Sequence, residues 1–120
     1  MATPEERKKL KAEYKMQRRA AGVFAVTNIV EGRVFLGSCL DAERPLRRIL
    51  FELQFGSFKN RALQSDFSRL GEEAFTFAVL ETVPLSAERP EDELELLEEK
   101  YLAELDLETA YNTDARIRFR

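Results

Sequence analysis

The side chains available for chemistry in this sequence are limited, because the chain contains no histidine. Its one cysteine, Cys39, cannot form an internal disulfide. Ser-His and Cys-His catalysis and Cys/His zinc sites are therefore excluded. Any acid–base or metal chemistry has to come from carboxylates, tyrosine, lysine, arginine or serine side chains, or from a bound hard cation.

Glu98 is the carboxylate whose position stands out. A helical winding of residues 91–106 places it inside an apolar stripe made of Leu94, Leu97, Tyr101, Leu102 and Leu105. A carboxylate that faces a core needs a cation, hydrogen-bond donors or a metal, because burying it unpaired costs several kcal/mol. Two interpretations stay open at this point: Glu98 reaches water or an arginine at the end of the stripe, or it is a functional residue.

The elements that position these residues form an α/β fold of the α+β kind. Apolar and β-branched residues on both sides of Glu31-Gly32 predict a β-hairpin over 23–37, and alternation predicts a third strand over 75–81. Helix start and stop signals predict helices at 5–19, 45–55, 61–70 and 90–105. We therefore expect a small three-stranded antiparallel sheet flanked by helices, with an extra N-terminal helix.

Charge is distributed unevenly along the 120 residues, which suffice for a single domain. The net charge of −3 combines +4 over 1–21, +2 over 22–71, −12 over 72–115 and +3 over 116–120. This pattern fits a basic working face with an acidic back, and it also fits two solvated helices of opposite sign. The sequence has no signal peptide and no apolar span of membrane length, so a cytoplasmic location is expected.

Several motifs together resemble the GIY-YIG nuclease family. The paired motifs correspond to Gly22-Val23-Phe24 and Phe35-Leu36-Gly37, and the later ones to Asn60–Phe67, Leu70–Glu81, Glu98–Leu102 and Tyr111-Asn112. The resemblance divides the chain into a basic N-terminal helix (1–20), a GIY-YIG-like domain (21–113) and a basic C-terminal tail (114–120). For residues 116–120, an edge strand and a frayed tail both remain open.

The resemblance implies a nuclease that cuts DNA with one divalent ion, Mg²⁺ or Mn²⁺, bound by Glu98. It also implies a first-motif tyrosine that helps activate water and a second-motif tyrosine that supports the same site. This chain has Phe24 and Phe35 at those positions, and phenylalanine carries no hydroxyl. Pro45 and Ile49 stand where the family has its arginine and histidine. The remaining catalytic candidates are Arg44 or Arg48, in place of that arginine, and Asn112.

A phosphate-binding face near the hairpin is expected from Arg33, Arg47, Lys59 and Arg61, together with Arg44 and Arg48. The first hypothesis is a nucleic-acid-binding domain, for DNA rather than RNA, with weak or altered metal-dependent phosphodiesterase activity. The alternative is a catalytically inactive GIY-YIG fold that binds a protein partner. A third hypothesis, chemistry at Cys39, competes with its interpretation as a packed thiol. Phe51 and Phe55 are expected in the core, and Tyr111-Asn112 either ends the final helix or lines the site.

Overall fold

The computed structural model describes residues 20–112 and 116–119, and the predicted N-terminal helix lies outside these residues. The described residues form four strands: β1 (Gly22–Asn28), β2 (Arg33–Cys39), β3 (Phe75–Thr82) and β4 (Arg118–Phe119). They also form three α-helices, α1 (Glu43–Phe55), α2 (Arg61–Leu70) and α3 (Pro90–Glu104), and a short 3-10 turn at Glu72–Ala74. The α+β class predicted from the sequence is confirmed.

The sheet has the strand order β3-β1-β2-β4. The predicted hairpin forms, with β1 antiparallel to β2, and β1 also pairs antiparallel with β3. The sequence predicted three strands, but the sheet has four, because β4 adds to the edge of β2 in parallel orientation. The Ser38 amide donates to the Ile117 carbonyl at 2.8 Å, which fixes this edge. Of the two alternatives for residues 116–120, the edge strand is therefore the one that the structure shows, at Arg118–Phe119.

Both faces of the sheet are covered, which explains why β1 is apolar at almost every position. One face packs against α1 and α2 through a cluster that includes Phe24, Ile49 and Leu63. The other face packs against α3 through Val23, Leu94 and their neighbours. The arrangement is a three-layer domain with helices on both sides of an antiparallel core. Within the described residues, no helix combines the length and apolar composition needed to cross a bilayer.

Helix α1 differs from its prediction in where it begins and in which face it buries. It begins at Glu43, whereas the prediction placed its start at Pro45. Pro45 then lies in the first turn, where its missing amide costs no hydrogen bond, because the first-turn amides of a helix have no intrahelical acceptor. Its buried stripe contains Ile49 and Leu53. The expectation of a core position is wrong for Phe51 and Phe55, whose exposed fractions are 60% and 71%.

The motif glycine Gly37 is required because the ring of Phe24 lies directly across it. The two residues are paired between β1 and β2, and a Cβ atom at Gly37 would overlap the Phe24 ring. The phenylalanine therefore keeps the packing role of a motif aromatic although it carries no hydroxyl. Gly37 and Phe24 form a single packing unit.

Gly37→Ala is expected to destabilise the fold by about 1–3 kcal/mol, since the added methyl group forces the buried Phe24 ring to move. Urea unfolding of the two proteins measures the difference. Gly32→Ala provides a contrast: its cost comes from a positive φ in open space, whereas Gly37 has no positive φ and its cost comes from the overlap with the Phe24 ring. If Gly37→Ala costs nothing, the Phe24 ring does not lie across Gly37.

Candidate functional site

A groove of about 980 Å³ opens beside the edge of β2. Its walls come from β2, the outer part of α1, the segment before α2, residues 110–112 and the β4 segment. Among the described residues, six cationic side chains line it: Arg33, Arg48, Lys59, Arg61, Arg116 and Arg118. The acidic side chain in this lining is Glu52. The groove is therefore strongly basic in a chain whose net charge is −3.

The groove cations differ in how strongly carboxylates hold them. Arg48 pairs with Glu52 at 3.2 Å on the exposed side of α1. Lys59 lies 5.5 Å from the ring centroid of Phe119, and within residues 20–112 and 116–119 neither Lys59 nor Arg61 forms an ion pair. Lys59 and Arg61 can therefore meet an anionic ligand without giving up a carboxylate.

The predicted phosphate-binding residues divide between two neighbouring sites. Arg33, Arg48, Lys59 and Arg61 share the groove, whereas Arg44 and Arg47 line a smaller cleft of about 480 Å³. Arg48 lines both. The Arg44 guanidinium lies 3.8 Å from the Cys39 sulfur, and Cys39 is buried in the core. The structure thus brings Arg48 to the groove and leaves Arg44 beside it.

The Glu98 carboxylate faces inward, as its helical phase indicates, with a side-chain exposure of 13%. Two hydrogen bonds come from one arginine: Arg118 Nη2 donates to Oε1 at 2.7 Å and Nε donates to Oε2 at 3.0 Å. The Ser38 hydroxyl also donates to Oε2. Burial acts to raise the pKa of this carboxyl, but the hydrogen bonds from Arg118 and Ser38 hold it below its usual value. Glu98 is an ionised, fully engaged carboxylate.

This arrangement does not fit a divalent ion as it stands. Both oxygens of Glu98 already accept hydrogen bonds, and one guanidinium supplies two of them. Among the described residues, no group of three histidine, cysteine, aspartate or glutamate side chains could hold a metal. The role of Glu98 as a ligand for Mg²⁺ or Mn²⁺ therefore stays a prediction that follows from the sequence resemblance.

The two motif phenylalanines meet at the β4 strand. Phe119 contacts the ring of Phe24 at a centroid distance of 5.5 Å and that of Phe35 at 6.1 Å, both edge to face. Phe35 also packs edge to face against Phe58. Phe35 lines the groove, whereas Phe24 is fully buried. The place where the resemblance implies tyrosine hydroxyls is therefore an aromatic cluster at the groove's base.

Phe24→Tyr is expected to destabilise the fold by about 1–3 kcal/mol, because the added hydroxyl has no access to water at a position with 0% exposure. Phe35→Tyr is the matched control, since that ring lines the groove and its hydroxyl can meet solvent there. Urea unfolding measures both variants. Equal costs for the two substitutions would contradict this assignment.

Tyr111 and Asn112 line the groove rather than end the final helix. The side chain of Asn112 accepts from the Leu36 amide and donates to the Leu36 carbonyl, both at 2.8 Å, and so pairs with β2 as a strand would. Tyr111 donates its hydroxyl to Asp66 at 2.7 Å. Burial, followed by the hydrogen bond to Asp66, raises the pKa of Tyr111 to about 12. Its phenol therefore stays protonated, and both residues hold the groove's shape.

Sequence reasoning missed Ser38, Arg118 and Phe119 as components of this site. Ser38 directly follows the second motif, but a serine in a strand carries no specific signal. The alternating arginine and apolar residues from 116 to 120 were a signal for a strand. Nothing in that pattern identifies Glu98, twenty residues earlier, as the partner of Arg118.

The architecture around this groove is similar to that of two solved structures. A variant of the catalytic domain of intron endonuclease I-TevI superposes with a TM-score of 0.64 at 24% identity, covering 83% of this chain and 99% of that one. The catalytic domain of homing endonuclease I-TevI gives a TM-score of 0.60 at 23% identity, covering 78% and 98%. Searches of protein-family models and of curated protein sequences give no match. The I-TevI domain is a GIY-YIG nuclease, so this chain has a GIY-YIG-like fold.

Proposed function

We propose that this chain is a nucleic-acid-binding domain of the GIY-YIG-like fold that holds the phosphate backbone in its basic groove. The observation that carries the proposal is the convergence of six cationic side chains on one groove of an acidic protein. Contacts of arginine and lysine with phosphate supply most of the affinity of non-specific nucleic-acid binding. The ligand that we propose is DNA, which agrees with the sequence resemblance and with the endonuclease domains that share the fold.

We also propose that the domain binds nucleic acid but cleaves the phosphodiester bond only slowly. Phe24 and Phe35 cannot accept a proton, and general-base assistance typically contributes about 10²–10⁴-fold to rate. Glu98 is engaged by Arg118 and Ser38. The groove therefore offers contacts that position a phosphate, while this chain's own residues supply little to break the ester.

The proposal is tested by measuring the affinity of the full chain for duplex, branched and single-stranded DNA and for RNA of matched length, from 50 to 200 mM salt. Binding should weaken steeply with salt, by about 0.9 log units in affinity per log unit of salt for each phosphate contacted on duplex DNA. The same samples with Mg²⁺ or Mn²⁺ should show slow cleavage. Binding to none of these ligands would overturn the proposal, and tighter binding to RNA would reassign the ligand.

A second candidate function, binding a protein partner, is favoured by one surface feature. Phe51 and Phe55 stack on the exposed side of α1 with ring centroids 4.6 Å apart. Exposed adjacent aromatics are typical of protein-interaction sites. The test is to capture a partner with the wild-type chain and with two variants. This function is supported over the first if Glu98→Ala still binds the partner and the double variant Phe51→Ser/Phe55→Ser does not.

A further inference from the structure

We infer that Arg118 is the resident cation of the Glu98 site, and that a divalent ion binds there only when Arg118 is displaced. The inference goes beyond the proposed function, because it concerns the cation held by Glu98 and needs no nucleic acid. It also accounts for the disagreement between the metal that the sequence resemblance implies and the contacts that Glu98 makes.

The first argument is the geometry of the pair. Arg118 contacts both oxygens of Glu98, at 2.7 and 3.0 Å, in the two-pronged arrangement that a planar guanidinium matches best. The Ser38 hydroxyl takes a further position on Oε2. A divalent ion would need the same oxygen lone pairs, so ion and guanidinium compete for one site.

The second argument is that Arg118 is held in place from two sides. Ile117, the residue before it, is buried in the cluster beneath α3, and its carbonyl accepts from the Ser38 amide. Phe119, the residue after it, packs against Phe24 and Phe35 on the opposite face of the sheet. Arg118 and Phe119 point to opposite faces of β4, and Arg118 is paired with Ser38, so its side chain lies on the Ser38 and Glu98 face while Phe119 anchors the other face.

The third argument is that Arg118 lies between the groove and Glu98. Arg118 is part of the groove lining, whereas Glu98 is not among the described residues that line it. An arginine side chain stays charged throughout the physiological pH range. A ligand in the groove therefore meets a fixed guanidinium at this point, with Glu98 behind it.

The inference is tested by an NMR titration with Mn²⁺ and no nucleic acid. The full chain, labelled with ¹⁵N, is titrated with Mn²⁺ as wild type, Glu98→Gln, Arg118→Met and the double variant. Selective broadening of the Ser38 and Glu98 amide signals, relative to those of the exposed acids Glu91–Glu93, reports an ion at Glu98. The same spectra show whether each variant is folded.

The wild type should show no selective broadening, Arg118→Met should gain it, and the double variant should lose it again. Broadening in the wild type that Glu98→Gln removes would overturn the inference, as would its absence in folded Arg118→Met. If Arg118→Met does not fold, Arg118→Lys decides: a lysine makes a weaker contact, so it should show broadening above the wild type. Since no nucleic acid is present, a negative result does not bear on whether the groove binds nucleic acid, which is tested separately.

Discussion

Replacing both Lys59 and Arg61 with glutamine is expected to weaken nucleic-acid binding and to make it less sensitive to salt. Each lost phosphate contact reduces the slope of log affinity against log salt by about one, so the double variant should lose about two. These two residues are chosen because both line the groove and neither has a carboxylate partner in the described part of the chain. Their loss removes ligand contacts without breaking an internal ion pair. Fluorescence anisotropy with labelled duplex DNA at several salt concentrations measures both effects.

Arg89→Gln is the control for the change in net charge. Arg89 lies at the start of α3, outside the groove lining, and its side chain is highly exposed beside Asp92. Its replacement changes the net charge as much as the single variant Arg61→Gln does. If Arg89→Gln weakens binding as much as Arg61→Gln, the effect comes from overall charge and the groove is not the binding site.

The parts of the fold that were predicted correctly are those that local chemistry decides. The residue before the helix predicted over 61–70 is Asn60, a typical N-cap, and its side chain accepts from the Leu63 amide at 3.1 Å. The predicted helix over 61–70 matches α2 at both ends. The inward orientation of Glu98 also followed from local periodicity, because Leu94 and Leu102 are one turn away on either side.

The parts that were missed depend on contacts between distant segments. Residues 116–120 were left open between an edge strand and a frayed tail, because alternation alone does not show whether so short a strand, two residues in β4, finds a partner; its pairing with β2 and the aromatic cluster decide this. Helix α1 gives a second example, because its sequence does not show which of its two apolar faces is buried. Phe51 and Phe55 recur at helical spacing, and so do Ile49 and Leu53, but only the position of the sheet decides which pair is buried.

Asp66→Ala is expected to lower the free energy of unfolding by about 2–3 kcal/mol. The carboxylate accepts from Tyr111 at 2.7 Å, from Arg69 at 3.0 Å and from Arg33 at 3.1 Å. Arg33 and Arg69 are partly exposed and can turn to water, but Tyr111 is 2% exposed and its hydroxyl would lose its acceptor. Urea unfolding at neutral pH measures the loss. Since Tyr111 and Arg33 line the groove, binding should weaken as well.

Two variants separate this network from ordinary surface charge. Asp92→Ala removes an exposed carboxylate whose contact with Arg89 is 3.8 Å, and its cost should stay below about 1 kcal/mol. Tyr111→Phe removes the hydroxyl alone, and combining it with Asp66→Ala should cost less than the sum, because the two substitutions break the same hydrogen bond. Additive costs would show that Asp66 and Tyr111 act independently.

The stabilisation by Asp66 should disappear in acid. Burial acts to raise the pKa of this carboxyl, but the hydrogen bonds from Tyr111 and Arg69 and the charges of Arg69 and Arg33 hold it below its ordinary value of 3.8. Because the folded state binds this proton less readily than the unfolded chain, the contribution is complete above pH 3.8 and is lost as the pH falls through the lower folded pKa. The difference in unfolding free energy between wild type and Asp66→Ala should therefore stay constant from pH 5 to 8 and shrink below pH 3.8. A difference that persists at the lowest pH where the wild type is folded would mean that packing, and not the carboxylate charge, makes Asp66 stabilising.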